Sequence, residues 1–297
     1  MMLTLLRIQD FMSQAVQGDT NVSLSSLDAF VEECKEAAKR QLSREKSDWR
    51  IRMSGIGRPV CQQILDKRGI KEEMEYNSMF RFLFGDFTES ILMLVMREAG
   101  VDIVDYQKPV ELEIAGHKVK GTLDVIIRDE AGIEKVWDIK SASDWAFKNK
   151  FTNYGGYEKM KEDDPFGYLM QGFLYSEASG LPFGGWIVVN KSSGEVAVVE
   201  AADWSGEDKK YYLQLAENRI QILAQDDPEF VRIKDVFETH KKDGTVIRTG
   251  NKVLARQCQL CGFRAHCWPD AQLHARVTSR AKSPPLEWYS KLKIKEV

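Results

Sequence analysis

The sequence predicts an α/β fold in which a mixed central sheet is flanked by helices. Three observations predict it. Two β-like runs, residues 118–128 and 133–140, are joined by the turn signal Asp129-Glu130-Ala131-Gly132. Residues 77–100 form an apolar segment too long and too continuous for a strand. The order of elements reads α, β, β, β, α, β, an alternation that packs helices onto a sheet.

Taken in order, residues 1–50 read mostly helical, with Ser25-Ser26-Leu27-Asp28 opening an amphipathic helix toward Arg44. Residues 51–76 read as a helical linker carrying Cys61. The 77–100 helix follows, with Met79, Phe80, Leu83, Phe87, Leu92 and Met96 among its apolar positions and Glu89 within it. A carboxylate amid so much apolar surface needs a partner, because burying an unpaired charge is costly. A metal ion would supply one; a polar stripe with Arg97 or Glu98 is the alternative. A strand near 110–114 leads to the hairpin, whose first run alternates around Val119, Thr122, Val125 and Ile127.

Period two puts Asp138 and Lys140 on one face of the second run, and the hairpin partner brings Asp124 alongside. The glycine-rich stretch 151–164 reads as a loop over the site. Asp164 reads as the N-cap and Pro165 as the first residue of a helix that Gly180-Leu181-Pro182 ends. On it Gln171 and Tyr175, four apart, share a face and suit a phosphate or a base edge, or ordinary packing. A hairpin over 185–200, a helix over 204–225 and a basic, cysteine-bearing end complete the chain.

Two carboxylates and a lysine on a rigid sheet make a divalent-metal site with a cation beside the metal-bound water, an arrangement suited to cutting phosphodiesters. A D-x-K tripeptide alone also occurs as a solvated strand face. The cysteines add a second feature. Three of the five crowd together as Cys258-x2-Cys261-x5-Cys267, a soft-metal knuckle that lacks a fourth ligand. Cys61, Cys34, His266 and His274 compete to complete it; Cys34 reads as mid-helical packing. From spacing alone zinc and an iron–sulfur cluster both remain open.

With 297 residues, 43% of them hydrophobic, the chain can bury a sizeable core, and low cysteine usage without a secretory signal points to the cytoplasm and away from membranes. The net charge of −3 argues against coating DNA through bulk positive charge. Residues 232–297, however, carry 14 Lys+Arg against 6 Asp+Glu, a balance of +8 that leaves −11 for the rest. Such a basic end suits a DNA groove. No G-x4-G-K-[ST] loop is present, so ATP-driven unwinding would fall to a helicase or recombination partner.

Gly121-x2-Asp124, then Asp138-Ile139-Lys140, then Gln171-x3-Tyr175 resembles the RecB-type PD-(D/E)XK nucleases. One early cysteine with a late C-x2-C-x5-C is similar to their iron–sulfur subgroup, which includes CRISPR-associated RecB-like nucleases and the AddB helicase–nuclease. The resemblance spans residues 54–268 and implies a restriction-endonuclease-like core over 77–230. A helical N-terminal region over 1–76 and a basic cysteine-bearing segment over 231–297 would flank it.

The resemblance further implies that Asp124, Asp138 and the Ile139 carbonyl hold Mg²⁺ or Mn²⁺, that Lys140 orients or helps deprotonate the attacking water, and that Gln171 and Tyr175 grip DNA. Cys61, Cys258, Cys261 and Cys267 would hold a [4Fe–4S] cluster. Many members carry a histidine in the first helix. None lies between Met1 and Gly116 here, and the resemblance to relatives that use glutamate there implies Glu89 as the substitute catalytic metal ligand. The implied activity is that of a DNA exonuclease acting at ends or on single strands. The alternative is a non-catalytic DNA-binding scaffold on the same fold.

Overall fold

The computed structural model describes residues 2–43, 48–70, 75–242 and 245–293. Two compact units make up the chain, one from 1–57 and 75–221, the other from 58–74 and 222–297. Helices α1 (Met2–Gln17), α2 (Leu24–Leu42) and α3 (Met53–Ile56) belong to the first unit, and α4 (Val60–Lys67) to the second. The first unit resumes with α5 (Tyr76–Glu98), β1 (Ile103–Ile114), β2 (His117–Arg128) and β3 (Glu134–Ala142). After α6 (Asp144–Ala146) and a π-helical turn (Phe147–Phe151) come α7 (Tyr157–Glu162), α8 (Tyr168–Ser179), β4 (Phe183–Asn190), β5 (Val196–Glu200) and α9 (Gly206–Ala224).

The sheet runs β1-β2-β3-β4-β5. Strands β3 and β4 are parallel and the other neighbours antiparallel, so the first unit is a mixed sheet with helices on both faces. Alternation along β3 explains its central place. Val136 joins Phe173, Trp186 and Ile220 in a core under α8 and α9, whereas Trp137 and Ile139 meet Ile8 of α1 and Leu92, Met93 and Met96 of α5. A strand covered on both faces carries apolar groups on both. Asp138, 2% exposed, stands on the α8 side among them.

Local chemistry fixes the hairpin. Asp129 Oδ1 accepts from the Ala131 and Ile133 N–H groups at 3.0 and 2.9 Å, and Gly132 takes φ +78°. The ladder between β2 and β3 extends to Val125↔Trp137. Beyond it the Ile139 N–H donates to the Asp124 side chain.

Several elements differ from the sequence reading. Helix α2 starts one residue after Ser23, whose Oγ accepts from the Ser26 N–H, rather than at Ser25, and Arg44 lies outside the described residues, as do residues 71–74 of the expected linker. Strand β1 is 12 residues long and starts at Ile103, well before the expected 110: a bulge near Asp105 and Gln107 at φ +47° break its first half and hide it from an alternation test. The stretch 151–164 includes α7. Helix α8 starts at Tyr168, not Pro165, since Gly167 turns left-handed at φ +76°. Asp164 still caps it, accepting from the Tyr168 and Leu169 N–H groups at 2.9 Å each.

The second unit holds a further sheet where the sequence suggested only a basic tail. Its strands β6 (Val236–Lys242), β7 (Thr245–Val253), β8 (Gln272–Ala275) and β9 (Leu286–Lys291) pair in the order β6-β7-β9-β8, with α10 (Arg256–Gln259) and α11 (Arg264–Cys267) before β8. A buried carboxylate ties three of these strands. Glu238, 3% exposed, accepts from Thr249, Asn251 and Tyr289 at 2.8 Å each. Among the described residues no helix is long and apolar enough to cross a membrane.

Gly167 also lies against Gly57: a Cβ at Gly167 would meet the Gly57 backbone at 2.3 Å. Gly167→Ala therefore adds a steric clash with fixed backbone to a strained φ. We expect a loss of about 2–4 kcal/mol in urea unfolding. Gly180→Ala, also at positive φ but with nothing within 4 Å, should cost less; equal losses would contradict the close-approach argument.

Candidate active site

Asp124, Asp138, Lys140, Gln171 and Glu89 converge where β2 and β3 separate. Asp124 Oδ2 accepts from the Ile139 N–H at 2.8 Å, so this carboxylate takes the place of a ladder partner. Asp138 Oδ1 accepts from Lys140 Nζ at 2.7 Å, and its Oδ2 lies 2.6 Å from the same ammonium without a directed hydrogen bond. From α8, Gln171 Nε2 donates to Asp138 Oδ1 at 3.2 Å and to the Tyr175 hydroxyl at 3.3 Å. From α5, on the opposite face of the sheet, Glu89 accepts from Gln107 Nε2. Arg97 and Glu98, the sequence-level candidates for its partner, bind Glu33 and Ser23 instead.

Packing places these groups. Gly121 lacks the Cβ that would meet Tyr175 Cε1 at 2.7 Å, and so lets the Tyr175 ring lie on β2. Tyr175 is 3% exposed, with its ring in the core and its hydroxyl accepting from Gln171. Gln107 holds Glu89 from the left-handed region, a conformation that costs a non-glycine residue free energy. The apolar face of α5 is only partly buried. Leu92, Met93 and Met96 reach the core, while Phe80, Phe82, Phe84 and Ile91 are exposed.

The charge balance is unequal: one ammonium faces three carboxylates. Burial first, then the charges of Asp138 and Glu89, hold the Asp124 carboxyl well above the usual carboxylate range. Burial also pushes Glu89 up to about 7, against the opposing pull of Gln107 and Lys140. Burial works to discharge Lys140, but Asp138 and Asp124 outweigh it and keep the ammonium protonated beyond its ordinary range. Tyr175 is raised as well, by burial and by the same two aspartates. An excess of hard oxygen charge suits a divalent cation. Yet among the described residues no three His, Cys, Asp or Glu side chains stand in ready chelating geometry. Asp138 is turned onto Lys140 and Asp124 onto Ile139, so cation binding requires those contacts to loosen.

The second unit gathers the cysteines. Cys61 on α4, Cys258 on α10, Cys261 and Cys267 line one pocket with Arg232, Ile233 and Trp268; His266 and His274 do not line it. Cys34 lies on α2 in the other unit. All five cysteines are free thiols. Burial raises each of the four, Cys261 up to about 11, and Cys258, Cys261 and Cys267 feel the charge of Cys61. Four mutually sensing soft donors fit iron or zinc, although their spacing too falls short of ready chelation. Arg232 donates to the Cys267 carbonyl and stacks 3.7 Å from the Trp268 ring centroid. The sequence reading missed Gln107, Arg232 and Trp268; only Trp268, directly after Cys267, carried a usable hint.

No protein-family profile matches the chain, and none of the curated proteins matches it. Among solved structures, the crystal structure of SSO0001 is similar over 69% of this chain and 89% of its own, at 18% identity and a TM-score of 0.38. So loose a likeness carries nothing about activity.

The raised carboxyls give stability a pH dependence with a definite sign. The folded state holds the Glu89 proton up to about pH 7, whereas the unfolded chain releases it near its ordinary value. The folded state thus binds more protons across that window, and stability falls as pH rises through it. In chelator, the thermal midpoint of the wild type should drop from pH 5 to pH 8. Glu89→Gln should flatten the profile by about 3 kcal/mol at most. Parallel profiles would contradict the assignment.

Proposed function

We propose that the chain is a metal-dependent DNA nuclease with a restriction-endonuclease-like core of the RecB type, acting as an exonuclease on DNA ends or single strands. The observation that carries this reading is the convergence of Glu89, Asp124, Asp138 and Lys140 at the parting of β2 and β3. Three carboxylates with a surplus of charge and one lysine are what metal-assisted phosphodiester hydrolysis uses.

Mg²⁺ or Mn²⁺, held by Glu89, Asp124, Asp138 and the Ile139 carbonyl, would supply Lewis acidity toward water and phosphate. Asp138 and Asp124 favour the ammonium form of Lys140, which would donate a hydrogen bond to the water and offset charge gathering on the phosphate. Gln171 fixes the Asp138 carboxylate through Oδ1, and Tyr175 fixes Gln171. In this reading Tyr175 serves DNA binding by positioning Gln171. Cys61, Cys258, Cys261 and Cys267 would hold a [4Fe–4S] cluster as a structural staple, with zinc the less favoured occupant.

The test is digestion of end-labelled single- and double-stranded DNA with Mg²⁺ or Mn²⁺, beside Asp138→Ala and Lys140→Ala. Metal-dependent cleavage reduced by at least about 100-fold in both variants is expected. Equal cleavage by all three proteins would place the activity elsewhere, and DNA binding without cleavage by the wild type would favour a scaffold. For the cysteines, protein purified anaerobically should contain iron and sulfide and absorb in the visible, and Cys261→Ser should lose both. Colourless, zinc-loaded wild type would overturn the cluster assignment.

A further inference from the structure

Beside the carboxylates lies a row of rings that the cleavage chemistry leaves unused. Lys140 Nζ stands 5.3 Å from the centroid of the Tyr168 ring. Tyr168 stacks on Phe166, with centroids 5.6 Å apart and planes 25° from parallel, and on buried Phe151 at 6.3 Å and 28°. The row is thus anchored in the core at Phe151 and ends in Phe166, which is 37% exposed. Lys150 Nζ lies 4.7 Å from the Phe166 centroid. Chain geometry fixes the backbone that carries Phe166 and Tyr168. Gly167 between them is left-handed and pressed on Gly57, and Asp164 spends both carboxylate oxygens on the start of α8.

We propose that Phe166 and Tyr168, with Lys150, form a base-stacking subsite that receives an unpaired nucleobase next to the bond to be cut. The proposal rests on the nuclease reading, because Lys140 links the rings to the carboxylates. Three properties support a base as the ligand. Every nucleobase offers a π-face, so an exposed ring of fixed orientation binds it without reading sequence. A lysine over a ring marks a face that a cation can reach, and such a contact at an exposed site is weaker than base stacking. A base can displace the ammonium, which then meets the phosphate that the nucleotide brings. Paired bases keep their faces within the duplex stack, so the subsite selects unpaired ends or single strands.

Fluorescence anisotropy of a labelled single-stranded oligothymidine in Ca²⁺ tests this, with the wild type beside Phe166→Leu and Phe166→Trp. Leucine keeps the apolar bulk and removes the π-face; tryptophan restores it. The expected result is about tenfold weaker single-strand binding for Phe166→Leu, recovery in Phe166→Trp and little change on blunt duplex. Equal affinity of all three proteins for the single strand, or equal losses on single strand and duplex, would overturn the subsite. Cleavage by the same preparations separates the two ideas. Metal-dependent cleavage with an unchanged KM in Phe166→Leu would sink the subsite and leave the nuclease standing. A leucine-specific binding loss in a protein that cuts nothing would do the reverse.

Discussion

The ion pair between Asp138 and Lys140 is the constraint on which the site depends. Asp138 is almost wholly removed from water in the middle of a strand covered on both faces, where an unpaired carboxylate would be several kcal/mol out of balance. Lys140 supplies the counter-charge from two residues along, and Gln171 supplies a hydrogen bond from α8. The same lysine must also answer Asp124 and Glu89, and one charge does not suffice for three. The surplus is stored as carboxyls that hold their protons too long. In the proposed reading, a cation brought from outside would offset this imbalance.

Backbone placement serves this arrangement from several directions. The hairpin ladder stops where Asp124 takes over the Ile139 N–H. Gly121 admits the Tyr175 ring, and the Gly57–Gly167 contact sets where α8 begins. Gln107 accepts an unfavourable φ while holding Glu89. Gln107 and the glycines give up conformational freedom or side-chain volume to reach these placements. The thiol pocket follows a separate logic, with soft donors, an arginine and an indole in the other unit.

Much of this was legible in the residues, and the rest was hidden for physical reasons. The β2–β3 hairpin could be read because β-branched alternation and an Asp-x-x-Gly turn agree, and period two then placed Asp138 beside Lys140. The first half of β1 could not, since its charged residues and the left-handed Gln107 erase the alternation. The strands of the second sheet are rich in polar residues, and Glu238 is buried by hydrogen bonds rather than by hydrophobicity, so no periodicity announces it. Sequence reading found the Gln171–Tyr175 pair on one helix face. It gave no hint that Gln171 would turn to Asp138, because that contact joins elements 33 residues apart.

The most direct test of the charge imbalance is calorimetric titration of the metal-free protein with Mn²⁺ near pH 7, in two buffers of different ionisation enthalpy. Wild type should bind the ion and release protons, since Glu89, pushed up to about 7, must ionise to hold it. Asp124→Asn, which keeps an acceptor for the Ile139 N–H but removes a charge, should lose most of the affinity. Binding without proton release, or binding equally strong in Asp124→Asn, would contradict the account.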